Sequence, residues 1–333
     1  MKTRNNFQVR LELRPRPVAG QGWRASLREY LARTVKGEAD KSPAVGQCAF
    51  TRLDLLAVSL IAAVLFLVLL PALAKPGLNS KSFQCLNNHR QLANAWRMYA
   101  DDNRDCITYA STGGSDAGRS GSSVPIDSAN PSDPNNFAWT GAHMDFSAVN
   151  RANWDTDYDL VRRPLWPYTA RNASIYKCPS DQSTVLNLSG QLVPRIQSIS
   201  MNLYLGGFTG TSGGWSYIDP YRIFLKTTEL TAPSPGKTFV FIDHRPDNVN
   251  WGNFVTDMVG YAPSNPAAFT FADWPGYYHD GAAGLCFADG HTEMHRWTDP
   301  RTTPPNLENP SIASPNNPDI AWLQDHSTRP NRP

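Results

Sequence analysis

Apolar positions along this chain are spaced in three ways, and each spacing predicts a different element. From Leu55 to Ala74 there are 20 residues without a formal charge. As a helix, at about 1.5 Å of rise each, they reach roughly 30 Å, the thickness of a bilayer's hydrocarbon core. After the Pro76-Gly77 interruption, Phe83, Leu86, Leu92, Ala93, Trp96 and Tyr99 recur mostly at three- or four-residue steps. Asn87, Arg90, Asn94 and Arg97 fill much of the other surface, which predicts an amphipathic helix with a core-facing stripe. Further on, Ser198–Leu205, Lys237–Asp243, Gly284–Ala288 and His291–Trp297 carry the β-branched and aromatic content of strands. Asp289-Gly290, between the last two, suits a two-residue type I′ turn and so predicts a hairpin.

These elements give an expected fold class of α+β. A long N-terminal helix, transmembrane and then amphipathic, packs on an antiparallel-sheet head with long irregular loops. The expected organisation is a basic leader over 1–49, the helix over 50–104 with its membrane part at 55–74, a head over 105–300, and a Pro-rich tail over 301–333. Residues 111–136, rich in Gly, Ser, Asn, Asp and Pro, read as a surface loop. The tail holds seven prolines and reads as extended over the surface, apart from a short helical turn around Ile320–Gln324.

Charge sets the orientation. Residues 1–49 carry ten Lys or Arg against four acids, and Arg52 adds another positive charge just before the apolar run. The positive-inside rule then keeps the N-terminus in the cytoplasm and places the head outside the cytoplasmic membrane. The leader's excess of six positive charges outweighs the +2 of the whole chain, so residues 50–333 carry a net formal charge of −4. No run of Lys and Arg with interleaved aromatics is left to grip nucleic acid, so a nucleic-acid partner is not expected.

Around the start of the apolar run stand Ala49, Phe50, Thr51, Arg52, Leu53, Asp54 and Leu55, with Pro71 inside the predicted helix. This stretch resembles the processing segment of type IV prepilins and type II secretion pseudopilins. The resemblance implies cleavage between Ala49 and Phe50 by a prepilin peptidase and methylation of the new Phe50 amine. It also implies a role for Asp54 in meeting the N-terminus of a neighbouring subunit, with Pro71 at the family's helix proline. Two further stretches, Cys85–Leu92 and Trp96–Asn103, are similar to the segment after the pilin helix in a large bacterial group of pilin-like proteins, abundant in planctomycetes and verrucomicrobia. That group carries a C-terminal H-X9-DG signature. Here His279 is followed by nine residues and then Asp289-Gly290, and Cys178 in Tyr176–Asp181 also matches the group's wording. The implied partners are the membrane, the prepilin peptidase and other pilin-like or secretion-system subunits. The runner-up expectation is an unprocessed single-pass protein whose head binds glycan or an envelope partner.

Candidate chemistry is sparse. No G-x-S-x-G elbow, Walker loop or G-x-G-x-x-G motif occurs, so no catalytic residue, enzyme activity or cofactor is expected. His279, Asp280, Asp289, His291 and His295 invite a metal reading, but Thr292 stands where a zinc-protease helix carries Glu, and no metal is expected there. Asp101–Asp105 starts like a calcium loop yet has Cys106 at the sixth place and Thr112 at the twelfth; it reads as a solvated helix end. Asp155, Asp157 and Asp159 lie in a loop with Trp154 and Tyr158 that suits sugar less well than local packing. His279 is expected to hold its loop to the hairpin's edge. Cys85, Cys106, Cys178 and Cys286 fall in the exported part, where disulfides are permitted, and four cysteines leave three pairings open.

Overall fold

The computed structural model describes residues 51–73, 80–112, 127–209, 220–307 and 312–331, with side chains described to residue 67 in the first segment. The chain forms two compact units divided after Leu73.

The first unit contains helix α1, Arg52–Leu73. Its start is fixed by a reciprocal cap. Thr51 donates its backbone N–H and its hydroxyl to Asp54 Oδ2, at 2.9 and 2.7 Å, while Asp54 N–H returns a bond to Thr51 Oγ. This is the capping box with Asp in place of Glu, and it satisfies N–H groups that have no partner inside the helix. Leu53, Leu55, Leu56, Val58, Leu60, Ile61, Val64, Leu65, Phe66 and Leu67 are all exposed. A helix apolar on every side is one that some other apolar medium covers. Among residues with described side chains, no helix is long and apolar enough to cross a membrane. The uncharged run of the sequence, however, continues past Leu67 to Ala74.

The second unit is α+β. Helix α2, Lys81–Asp102, begins at Ser80, whose hydroxyl accepts the N–H of Phe83 at 3.2 Å. Asn87, Arg90, Asn94 and Arg97 are exposed as the spacing predicts. The buried face differs from the expected stripe in its first half, where Cys85 and His89 lie inside with Leu92, Trp96 and Tyr99 while Phe83 stays 47% exposed. Two polar residues take the inward positions because polar partners on the sheet meet them there.

Beneath α2 lies a five-stranded sheet made of β3 (Ile199–Asn202), β4 (Phe239–Asp243), β5 (Asn253–Phe254), β6 (Ala282–Phe287) and β7 (Thr292–Arg296), in the order β5-β3-β4-β6-β7. A separate hairpin joins β1 (Thr184–Leu186) to β2 (Leu192–Pro194). The sheet is antiparallel except at one edge, where β5 runs parallel to β3. A register shift between Phe239 and Phe241 places Phe239 and Ile242 in one apolar cluster and Val240 and Phe241 in the other, as an extra residue in a bulge does. One cluster fills the space between sheet and α2. The other joins the opposite face to helix α3 (Pro318–Asp325) through Ile320 and Leu323. The tail is therefore not simply laid on the surface: α3 packs into that second core, and Asn317, Ser327 and Thr328 are buried beside it.

The hairpin between β6 and β7 exists, but its turn is not the expected one. Gly290 N–H bonds to Phe287 O at 2.9 Å and Phe287 N–H to His291 O at 3.0 Å, and only Gly290, at φ +96°, is left-handed. That makes a three-residue loop ending in a glycine bulge. The two positive φ values of a type I′ turn occur instead at Asp280 (+54°) and Gly281 (+80°), between His279 and Ala282, whose backbones pair at 3.2 and 3.3 Å.

Candidate functional site

Four separated segments bring polar side chains to one buried point under α2. The helix supplies Ser82, Cys85 and His89, which share a face at i, i+3 and i+7. Strand β4 ends on Asp243. The turn before β6 supplies His279, and the loop after the short helical turn Ala173–Tyr176 supplies Cys178, whose N–H is held by Ser198 Oγ at 3.1 Å.

The contacts are close and mutual. Cys85 Sγ lies 3.1 Å from Asp243 Oδ2, and Cys178 Sγ lies 3.2 Å from His279 Nε2. His279 Nε2 is 3.8 Å from Asp243 Oδ2. On the outer side, His279 Nδ1 meets Ser82 Oγ at 3.2 Å, and Asp243 Oδ1 pairs with His89 Nε2 at 3.1 Å. The N–H of Gly284 donates to Asp243 Oδ2 at 2.9 Å. Gly284 is required by this proximity: a Cβ there would stand 2.8 Å from Cys85 Sγ and 2.9 Å from a His89 ring carbon.

Protonation follows from the same contacts. Burial alone would raise the Asp243 pKa, but the hydrogen bond and charge of His89, the Gly284 N–H and the Cys85 thiol outweigh it and hold the carboxyl below its ordinary value. The Cys85 thiol is pushed well up by its bond with Cys178, then by burial and the Asp243 charge. Cys178 is raised chiefly by burial. Burial also lowers His279, against the pull of Asp243. The site thus holds a carboxylate, a neutral imidazole and two thiols at neutral pH.

A Cys–His pair at 3.2 Å resembles the dyad of thiol hydrolases only in distance. A nucleophilic cysteine needs a depressed pKa and access for substrate, whereas Cys178 has a raised pKa and no exposed surface. The donor set Cys85, Cys178, Asp243 and His279, with all four ligand atoms within 4.8 Å of one another, is instead one that can hold a metal. A groove of about 510 Å³ open to solvent runs beside the cluster, with Cys178, Lys177 and Asp181 in its wall.

Of the residues singled out in the sequence, His279, Cys85 and Cys178 meet here. The His279 side chain turns to the cysteines and Ser82, not to the hairpin's edge, and only its backbone pairs with the start of β6. All four described cysteines are free thiols; Cys106 is exposed, and Cys286 lies in the core between sheet and α2. Asp289 and Gly290 sit at the hairpin tip, where Arg97 Nη1 donates to Asp289 O at 2.7 Å. The histidine group does not converge: His291 pairs with Asp289, and His295 pairs with Glu293 and stacks on Trp322 at 3.8 Å. Asp105 is engaged by Thr227 and Thr228, and Asp102 accepts from Tyr168. Buried Asp159 binds Thr140 and Arg163, and Trp154 Nε1–H bonds to Ala148 O, so that loop is packed on itself. Asp54 caps α1 and Pro71 lies within it, while Ala49 and Phe50 lie outside the described residues. Sequence reasoning missed Ser82, His89, Asp243 and Gly284. The one signal was Cys85 and His89 spaced four apart on a helix. Against family models, curated proteins and solved structures, the chain has no match.

Proposed function

We propose that the chain is a pilin-like, pseudopilin-type subunit, held in the cytoplasmic membrane by α1 with its head outside, and assembling with sister subunits through its N-terminal helix. The observation that carries this reading is the segment Ala49–Leu55 leading into a 22-residue helix whose described apolar side chains are exposed all round. Such a surface is stable in lipid or in a bundle of like helices and costly in water, at about 25 cal/mol for each Å² of apolar surface. The Asp54 carboxylate, at the first turn of α1, stands where a neighbour's free amine can meet it. In the isolated subunit Thr51 occupies it, so assembly exchanges one partner for a charged one. The head contributes loops to neighbours or cargo and performs no chemistry of its own.

Co-expression with a prepilin peptidase, followed by intact-mass measurement and N-terminal sequencing, tests the reading. A mature chain beginning at N-methylated Phe50 supports it. Retention of residues 1–49 in membrane-bound material supports the unprocessed, tethered binding protein instead.

A further inference from the structure

We propose that the head contains a structural zinc site in which Cys85 Sγ, Cys178 Sγ, His279 Nε2 and Asp243 Oδ2 are the four ligands. The inference concerns the head alone and stands whether or not the chain is a pilin subunit.

The donor set is compact enough for a tetrahedral site, with all four ligand atoms within 4.8 Å of one another. With zinc–sulfur bonds of about 2.3 Å and zinc–nitrogen or –oxygen bonds of about 2.0–2.1 Å, the edges of a tetrahedral site span roughly 3.3–3.8 Å. The measured edges are 3.1 Å between Cys85 and Asp243, 3.2 Å between Cys178 and His279, and 3.8 Å between His279 and Asp243. An ion at the centre needs shifts of only a few tenths of an ångström on these edges. Two of the ligands have outer partners. Ser82 Oγ faces His279 Nδ1 at 3.2 Å and can accept its N–H, the tautomer that leaves Nε2 for the ion, and His89 takes Asp243 Oδ1 so that Oδ2 is left for the ion. Outer partners of this kind orient metal ligands.

Ligand chemistry chooses the metal. Two thiolates with one imidazole suit zinc and disfavour magnesium or calcium, which take oxygen ligands. Binding releases the two thiol protons to solvent, and four protein ligands leave no position for substrate, as in structural sites. The site would tie α2 to the end of β4, the turn before β6 and the loop at Cys178. A Cys85–Cys178 disulfide is the competing chemistry. It would remove both sulfur partners from a buried carboxylate and a buried imidazole, leaving His279 Nε2 without its nearest partner, and so accounts for less of the arrangement.

The test uses the full chain in detergent, purified without chelator or oxidant. Elemental analysis is expected to find one zinc per chain. Cobalt exchanged into the wild type should give the visible spectrum of a tetrahedral site with a thiolate charge-transfer band. Competition with a chromophoric chelator should show Cys178→Ser weakening zinc by more than about 100-fold and Ser82→Ala by about 10–100-fold, the range for an outer partner. Cys106→Ser, outside the cluster, should bind as the wild type does. The proposal is overturned if the wild type contains no zinc and both thiols react freely on unfolding. It is equally overturned if peptide mapping finds Cys85 joined to Cys178, or if cobalt binds without a thiolate band. Because the wild-type measurements decide by themselves, a variant that fails to fold does not protect the idea.

Discussion

Single residues in the head are constrained by what lies within an ångström of contact, and Gly284 is the sharpest case. A methyl group there meets Cys85 Sγ at 2.8 Å and the His89 ring at 2.9 Å, both fixed on α2, so helix and sheet must separate. Gly284→Ala is expected to cost about 1–3 kcal/mol, the range for overpacking a core, read as a lowered midpoint in urea. Asp273 is constrained electrostatically. Burial raises its pKa to about 7, only partly offset by the N–H of Val255, which lies 2.6 Å from its Oδ2. An acid whose folded pKa lies above its unfolded one stabilises the fold below about pH 4, and that contribution is lost as pH rises through about 7. Asp273→Asn keeps an acceptor for Val255 and cannot ionise. Its melting temperature relative to wild type should therefore climb between about pH 5 and about pH 8; a constant difference across that range would show that Asp273 is already ionised at the lower pH.

At the scale of elements, what the sequence made legible was periodic, and what it hid was assembled from afar. The exposed face of α2, strands β3, β4, β6 and β7, and helix α3 all follow from local spacing. The inward turn of Cys85 and His89 does not, because its cause is Asp243, more than 150 residues away along the chain. Asp289-Gly290 does turn the chain as its sequence predicts, but through a bulged loop; the type I′ geometry falls instead at Asp280-Gly281, which the sequence marks only as loop. The bulged loop is shaped by α2: Arg97 reaches the turn and donates to Asp289 O, and a Cβ on Gly290 would stand 2.8 Å from Arg97 Nη1. Gly290→Ala, strained at φ +96°, is expected to cost roughly 1–3 kcal/mol. Arg97→Ala should cost about 1 kcal/mol through the lost charged hydrogen bond. Since the same guanidinium limits both changes, their costs should not add. The double variant should be more stable than the sum predicts by about 0.5 kcal/mol or more, and strict additivity in denaturant melts would remove Arg97 as the clamp.

For the whole molecule, the two units differ in how their apolar surface is covered. The head encloses its own: α2 and the sheet share one cluster, the sheet and α3 share another, and both are built from residues after Ser80. By contrast α1 exposes Leu, Ile, Val and Phe on every described side. Stability should therefore reside in the head, and the demand for lipid in α1. A chain beginning at Ser80 is expected to stay monomeric in aqueous buffer with the melting temperature that the head shows in the detergent-solubilised full chain. The full chain should sediment with membranes at high salt and at alkaline pH, conditions that strip proteins bound only by charge, and leave them only with detergent. If the full chain is released by salt alone, α1 is covered by something other than lipid and the membrane reading fails. Aggregation of the shorter chain would mean instead that the head itself needs the preceding segment, a result that leaves the membrane reading standing but denies the head its independence.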